Sequence, residues 1–384
     1  MGSVERFDVI VIGAGPAGST AAYRLAGDGA KVALLDKARF PRDKPCGGGI
    51  TVRGLKHLPI DVTPVVEDRV THVELGFGYR ERFARSSDEP LVLMTQRRRL
   101  DAHLAEQAAA NGTDFRDGVR VRSIELEAYG AIVATDTDRL TARVVIGADG
   151  CNGVSAKALG LAAGVTYGVA YEGNAPWGAI DEERWRSRIW VEFDSVPGGY
   201  AWIFPKGDHA NLGVGGWTSE GPRLRDHLTR LCREAGVDPG AIEHVRGYRL
   251  PLRRPAARVA QGPALVIGDA AGLVDPMSGD GMYEAFLSSR LASDAVMDLL
   301  AGRTTNLDGF QATLDGALSR HRAISWAGKW LFEQAPGLAS RLARSERLWP
   351  KVVRRVRGES GGVHGPGGAR LEALSRAIYR PGRR

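Results

Sequence analysis

Gly13-Ala14-Gly15-Pro16-Ala17-Gly18 follows the apolar run Phe7-Asp8-Val9-Ile10-Val11-Ile12 and precedes an alanine-rich stretch. Set between a strand and a helix, a G-x-G-x-x-G spacing carries a specific chemistry. The first glycine permits a tight turn, the second lets backbone approach a pyrophosphate, and the third lets the helix pack closely on the strand. Free N–H groups and the dipole of the first helical turn then favour the negative charge. Asp36, 18 residues after Gly18 and at the end of the next apolar run, stands where an acid holds a ribose hydroxyl. The spacing alone does not choose between NAD and FAD.

Other stretches add chemistry. GADG (147–150) and GDAAG (268–272) each end a buried strand with an acid, where open α/β sheets bind ligands. Asp269 precedes a long loop and then a helix beginning near Gly279-Asp280-Gly281-Met282, which suits a ribityl chain and ring that NAD lacks. PRDKPCGGGI (41–50) places three consecutive glycines after Cys46, a backbone entropy cost that something must offset. Cys46 is either a small buried hydrophobe or a chemical group. Tyr200, Trp202, Phe204 and Pro205 alternate along a strand with Ile203 between, and serve either as sheet core or as a ligand wall. Lys206 reads as a turn residue rather than a base, and His209 as a solvated one. No metal-ligand spacing is found among Cys46, Cys151 and Cys232, and their odd number supplies no disulfide framework.

The elements that must position these residues follow from periodicity. Residues 7–12 and the KVALL run at 31–35 read as buried parallel strands, with a helix over 16–26 between them. Residues 97–110 form a helix with Leu100, Leu104 and Ala108 on one stripe. Residues 119–146 predict an antiparallel meander returning into a buried strand at 143–150. The alternation over 187–217, broken at 197–199 and 206–208, predicts an antiparallel sheet joined by strands from 69–94. The expected class is α/β, with a discontinuous Rossmann-like nucleotide domain (1–57, 95–160 and 250–300). An antiparallel-sheet substrate domain (58–94 and 161–249) is inserted, and a basic helical segment and tail (301–384) follows.

At 384 residues and 43% apolar content the chain can bury a full core. The net charge of +7 is uneven, since residues 301–384 hold sixteen Lys/Arg against six Asp/Glu. The basic character belongs to the tail, so a nucleic-acid partner is not expected. Glu5, Arg6 and Asp8 before a short apolar run do not suit a signal peptide, and no apolar segment is long enough to span a bilayer. The expectation is a cytoplasmic protein. In the tail, Trp326, Trp330, Phe332, Trp349 and Val352 among arginines suit either contact with an anionic membrane or helices capping the cofactor domain. Residues 358–368 read as a linker.

Taken in order, the G-x-G-x-x-G fold, PCGGG (45–49), Arg97 before Leu100-Asp101, GADG, YAWIFPK (200–206) and GDAAGLVDPMSGDGMYEA (268–285) resemble a known family. They resemble the FAD-dependent oxidoreductases of the para-hydroxybenzoate hydroxylase-like superfamily, and specifically its geranylgeranyl reductase family. PCGGG and the Y-x-W-x-F-P pattern are the more specific marks. The resemblance implies FAD, with Gly13, Gly15 and Gly18 at the pyrophosphate, Asp36 at the adenosine ribose, and Ala17 and Lys37 also among the cofactor-binding residues. It implies Arg97 at phosphate or ribose, Asp269 on the ribityl side, Gly279, Gly281 and Met282 facing the flavin ring, and Asp149 and Gly268 among the cofactor-binding residues. Gly-Asp-Gly-Met replaces the family's usual Gly-Glu-Gly-Ile at 279–282. On the substrate side it implies Cys46, Gly47, Gly48, Gly49, Tyr200, Trp202, Phe204 and Pro205, with Cys46 the catalytic candidate.

The implied activity is saturation of C=C bonds in a polyisoprenoid chain carried by a lipid, a quinone or a prenyl alcohol or diphosphate. NADPH or a ferredoxin-like protein would supply electrons. The alternatives are an NAD(P)H-dependent hydroxylase of an aromatic or lipid substrate and a non-catalytic flavoprotein electron carrier.

Overall fold

The computed structural model describes residues 5–254 and 257–359. Its main sheet has the strand order Ala260–Gln261, Ala264–Val266, Arg139–Gly147, Glu5–Ile12, Val32–Leu35 and Asp114–Arg116. The last five run parallel, and the hairpin Val121–Glu127/Gly130–Thr135 adds antiparallel pairing to the Arg139–Gly147 strand. Val9 to Ile12 are buried on both faces, which is why this strand reads as an unbroken apolar run.

Register decides what meets at the carboxyl edge. Ile12 lies opposite both Leu35 and Gly147, and Gly147 lies opposite Val266. The residues just beyond these strands (13–15, 36–37, 148–149 and 267–269) therefore emerge side by side. Strand Glu5–Ile12 has its sequence successor on one flank and a much later strand on the other, so this edge is a topological switch point. Helix Pro16–Gly27 packs on Met282–Leu300, where Ser289 Oγ donates to the Ala17 carbonyl at 2.7 Å.

The second sheet has seven strands, in the order Glu243–Leu252, Thr166–Pro176, His209–Trp217, Tyr200–Pro205, Arg188–Phe193, His72–Phe77 and Glu81–Ser86. Its expected antiparallel character holds for every pair but one. Arg188–Phe193 runs parallel to His72–Phe77, because these strands come from distant parts of the chain rather than a hairpin. His72–Phe77 and Glu81–Ser86 join it as expected of strands from 69–94, but Asp68–Val70 and Val92–Met94 do not. With Gly49–Thr51 they form a separate three-stranded sheet. Beyond it lie helices Phe310–Gln334, Pro336–Arg344 and Trp349–Val356. The expected linker at 358–368 lies outside the described residues from 360 onward.

Candidate functional site

A single cavity of about 1220 Å³ runs from the switch point along the inner face of the seven-stranded sheet. At its narrow end stands the glycine turn. A Cβ on Gly13, whose φ is +102°, would lie 2.5 Å from the Ala148 carbonyl oxygen, and one on Gly18 would lie 1.8 Å from that of Gly13. These two glycines are fixed by protein packing alone. Gly15 is different. A Cβ there meets nothing closer than 3.5 Å, and the nearest atoms are the guanidiniums of Arg42 and Arg97.

Those guanidiniums are prepositioned. Arg97 forms a bidentate pair with Asp101, both contacts at 2.7 Å, and Arg42 Nη1 lies 2.8 Å from the same carboxylate. Burial works against the charge on Arg97, but Asp101 more than offsets it, so Arg97 stays cationic. A small open backbone patch faced by two fixed cations suits a phosphate, and the residues here fit a pyrophosphate-bearing cofactor. Asp101 was quoted from sequence only as part of a motif, although the i,i+4 spacing from Arg97 is a readable signal.

The other expected cofactor residues converge on the same cavity. Asp36 accepts the Ala14 amide at 2.8 Å and the Ala38 amide at 2.9 Å, which ties the second strand to the glycine turn beside Lys37. Asp149 accepts the amides of Val154 at 2.7 Å and Ser155 at 3.0 Å, so its carboxylate fixes its own loop while lining the cavity. Asp269, after the turn at Gly268, pairs with Lys44 Nζ at 3.1 Å. Gly279, Gly281 and Met282 line the next stretch, where Asp280 folds back to accept the Met282 amide at 2.8 Å. Ala17 borders the cavity and would meet any Cβ placed on Gly268 at 2.9 Å.

The glycine run has a protein explanation. A Cβ on Gly47 would lie 2.8 Å from the Phe204 ring, and one on Gly49 would lie 2.9 Å from Val92. Gly48 has φ +69°, with the Thr95 carbonyl oxygen 2.1 Å from where a Cβ would stand. The loop is thus pressed against the aromatic strand. Cys46 sits at its head, its amide donating to Glu172 Oε1 at 2.7 Å and its Sγ accepting the Gly48 amide at 3.3 Å. Tyr200, Trp202 and Phe204 line the cavity beside it. Trp202 Nε1 donates to Asn211 Oδ1 at 2.8 Å, and the Tyr200 hydroxyl donates to the Ser278 carbonyl, joining the aromatic strand to the 275–281 loop. Pro205 ends that strand, buried.

One sequence reading is sharpened here and one corrected. Lys206 stands in the turn between two strands, as expected, but it is buried. It is 2% exposed, and its Nζ donates to the Thr95 carbonyl at 2.9 Å and to that of Gly47. His209 opens the next strand, and its side chain is 13% exposed against Asp208 at 2.6 Å rather than solvated. In both cases tertiary packing covers what the local sequence would leave wet.

Lys206→Ala strands two buried carbonyls, and the expected cost is about 2–4 kcal/mol of stability. Burial also pulls the Lys206 ammonium down to about 8, opposed by Glu172 and other negative groups. As pH rises above that value the native state has shed a proton that the unfolded chain still holds, so stability from this group rises with pH. Thermal melts should therefore show wild type gaining on Lys206→Met between about pH 8 and pH 10. A constant gap would show that Lys206 does not titrate in the fold.

The wide end of the cavity is apolar. Val73, Leu75, Ile189 and Val191 of the sheet face Trp349, Val352, Val353 and Val356 of the last helix. Nothing in the sequence pointed to that helix as a cavity wall, because its pairing with residues over 150 positions away is purely tertiary. His321 and Arg355 also line the cavity and were equally unsignalled, while Asp275 beside them was quoted only as part of the 268–285 stretch.

Comparison with known proteins agrees with this arrangement. Residues 6–287 match a family model described as an FAD binding domain. The chain is 34% identical over 319 residues to the geranylgeranyl diphosphate reductase of Rhodobacter capsulatus, covering 79% of this chain and 78% of that protein. It is 31% identical over 310 residues to the menaquinone reductase of Mycobacterium tuberculosis, covering 75% and 76% respectively. Among solved structures, a geranylgeranyl bacteriochlorophyll reductase-like protein of Thermoplasma acidophilum superposes with a TM-score of 0.78 at 20% identity, covering 99% of this chain and 98% of that one.

Proposed function

Because the chain belongs to the geranylgeranyl reductase family of FAD-dependent oxidoreductases, we propose that it saturates C=C bonds of a polyisoprenoid chain. The chain would be carried on a lipid, a quinone or a prenyl alcohol or diphosphate. The observation that carries this reading is the apolar slot between the seven-stranded sheet and helix Trp349–Val356, continuous with the glycine-turn crevice. A long hydrocarbon fits such a slot without leaving polar groups unpaired.

The chemistry that FAD would supply when held there is hydride transfer from its reduced form. The chain's own residues do the rest. Gly15, Arg42 and Arg97 would hold the pyrophosphate in the turn that Gly13 and Gly18 permit, with Asp36 and Lys37 at the ribose and Asp269 on the ribityl side. The backbone at Gly279–Met282 would face the ring. Tyr200, Trp202, Phe204 and the Cys46–Gly49 loop would orient the alkene and exclude water, and Cys46 sits where substrate and ring meet. An external reductant, NADPH giving two electrons as hydride or a ferredoxin-like protein giving them one at a time, completes the cycle.

The direct test is anaerobic. The reduced holoenzyme is mixed with isoprenoid lipids, and products are weighed for a gain of two hydrogens per bond. No gain with any of them, together with substrate-dependent oxygen uptake, would favour hydroxylation instead. Cys46→Ser is expected to keep FAD but alter turnover or the number of bonds reduced. Unchanged kinetics and products would reduce Cys46 to packing.

We also infer contact with a membrane surface. Among the described residues no helix is long and apolar enough to cross a bilayer. Trp330, Leu338 and Leu342 are exposed on the C-terminal helices beside Arg341 and Arg344. Co-sedimentation with anionic vesicles, weakened by Leu338→Glu, is the expected result.

A further inference from the structure

Behind the 275–281 loop lies a charged group that the steps above do not use. Glu284 stands in the first turn of helix Met282–Leu300, and His321 reaches it from helix Phe310–Gln334. His321 Nε2 lies 3.0 Å from Asp275 Oδ2 and 3.3 Å from Glu284 Oε1. Arg355 donates to the other ring nitrogen, Nδ1, at 2.6 Å, and Arg53 Nη1 lies against the ring, 3.1 Å from Nδ1 and 3.4 Å from Nε2. A guanidinium can only donate, so Nδ1 is the acceptor and the ring proton sits on Nε2, between the two carboxylates. These three side chains converge as cation ligands would, but that tautomer leaves Nε2 no lone pair, and two guanidiniums stand behind it. The group is built to hold a proton.

Its capacity is partly unfilled. Asp275 and Glu284 are 3% and 2% exposed, yet apart from His321 at 3.3 Å no hydrogen-bond donor among the described residues reaches a Glu284 oxygen, and none reaches Asp280 Oδ2. Other charges facing it are already engaged: Arg322 donates to the Arg253 carbonyl, Lys329 pairs with Glu333 at 3.0 Å, and Arg53 lies over the Tyr283 ring at 3.8 Å. Burial pushes Glu284 up to about 7; the His321 contact opposes this, and Asp280 and Asp275 add to it. The group also touches the site. Asp275, Asp280 and His321 line the cavity, and Asp275 and Asp280 belong to the same loop as Gly279 and Gly281.

Resting on the flavin reading above, we propose that the Asp275–His321–Glu284 group is a redox-linked proton store. It takes up one proton from solvent when FAD held against Gly279–Met282 gains two electrons, and returns it when the alkene is reduced. The physical link is charge. A unit negative charge added within about 10 Å, at an effective dielectric near 20, raises proton affinity on the order of tenfold. The balance closes: the external donor supplies two electrons, one proton joins them as hydride, and a second waits on Glu284. On turnover the C=C π bond breaks and two C–H bonds form, one from hydride and one from the stored proton leaving through the cavity. FAD returns oxidised and Glu284 ionised.

The test is a mediated redox titration of the FAD holoenzyme between about pH 7 and 8.5, with no isoprenoid present. In wild type the midpoint potential should fall with pH more steeply than one proton per two electrons allows, by up to about one and a half times that slope for a tenfold change in affinity. In Glu284→Gln it should fall to the one-proton slope, with the anionic reduced-flavin spectrum in both proteins. Equal slopes in the two proteins, or a one-proton slope in wild type, would overturn the proposal. Should Glu284→Gln fail to fold with FAD, proton uptake by wild type during photoreduction decides, read with an indicator dye in weak buffer. Uptake rising to about one and a half protons per FAD supports the store, and one overturns it. Because neither measurement contains an alkene, failure of the reductase reading and failure of this one remain separate results.

Discussion

Gly15→Ala should give a folded protein that no longer retains FAD, whereas Gly18→Ala should give one whose fold is itself weakened. The two positions differ in what surrounds the added methyl. At Gly15 the backbone has φ −83°, open to alanine, and the nearest atoms to a Cβ are guanidinium nitrogens at 3.5 and 3.7 Å. The methyl fits the protein but fills the patch between backbone and arginines where a phosphate would lie. At Gly18 the Cβ would sit 1.8 Å from the Gly13 carbonyl oxygen, so the helix must retreat from the strand. Overpacking of that kind costs about 3 kcal/mol or more. For Gly15→Ala, apoprotein melting should shift little, while FAD affinity measured by fluorescence quenching should fall at least about 30-fold, near 2 kcal/mol. Wild-type affinity in that variant would place the pyrophosphate elsewhere.

Val353→Asp should abolish most turnover of a long isoprenoid while leaving the flavin spectrum intact. Val353 packs against the cluster of Val70, Val73, Leu91 and Ile189 and lines the wide end of the cavity. A carboxylate there must either be desolvated by the substrate or keep water in the slot, and about 3 kcal/mol, or roughly 100-fold in kcat/KM, is the expected loss. Arg354→Asp, on the exposed face of the same helix, is the control and should cost little. FAD binding is spared because the phosphate cradle is built from Gly15, Arg42, Arg97 and Asp101, far from that helix in sequence. If Val353→Asp keeps wild-type kcat/KM and products, the slot does not hold the substrate.

The phosphate turn was legible because its requirements are local. Gly13 and Gly18 must lack side chains for a strand to turn directly into a packed helix, and a buried parallel strand shows as an apolar run wherever it occurs. The helix at 97–110, the meander ending at Gly147 and the helix starting at Met282 were readable for the same reason. The inserted sheet was readable as a sheet, but its order was not. The parallel pairing of Arg188–Phe193 with His72–Phe77 joins strands over 100 residues apart, and alternation does not encode a partner.

What the site does with its residues lay further from reach. PCGGG showed from sequence that backbone must pass close to something, and only the fold shows that the Phe204 ring, the Thr95 carbonyl and Val92 already require it. Lys206 looks solvated beside Gly207-Asp208, yet it is buried because the Cys46–Gly49 loop and Thr95 close over it. His321 sits among basic residues with no pattern to mark it, and meets Asp275 and Glu284 only when three separate elements pack. Sequence by itself therefore determined the nucleotide turn, the class of fold and the family, all set by spacing within a few residues. Tertiary structure decided the apolar slot, the buried lysine and the proton-holding group, because each is made by contacts between segments whose separation along the chain leaves no local trace.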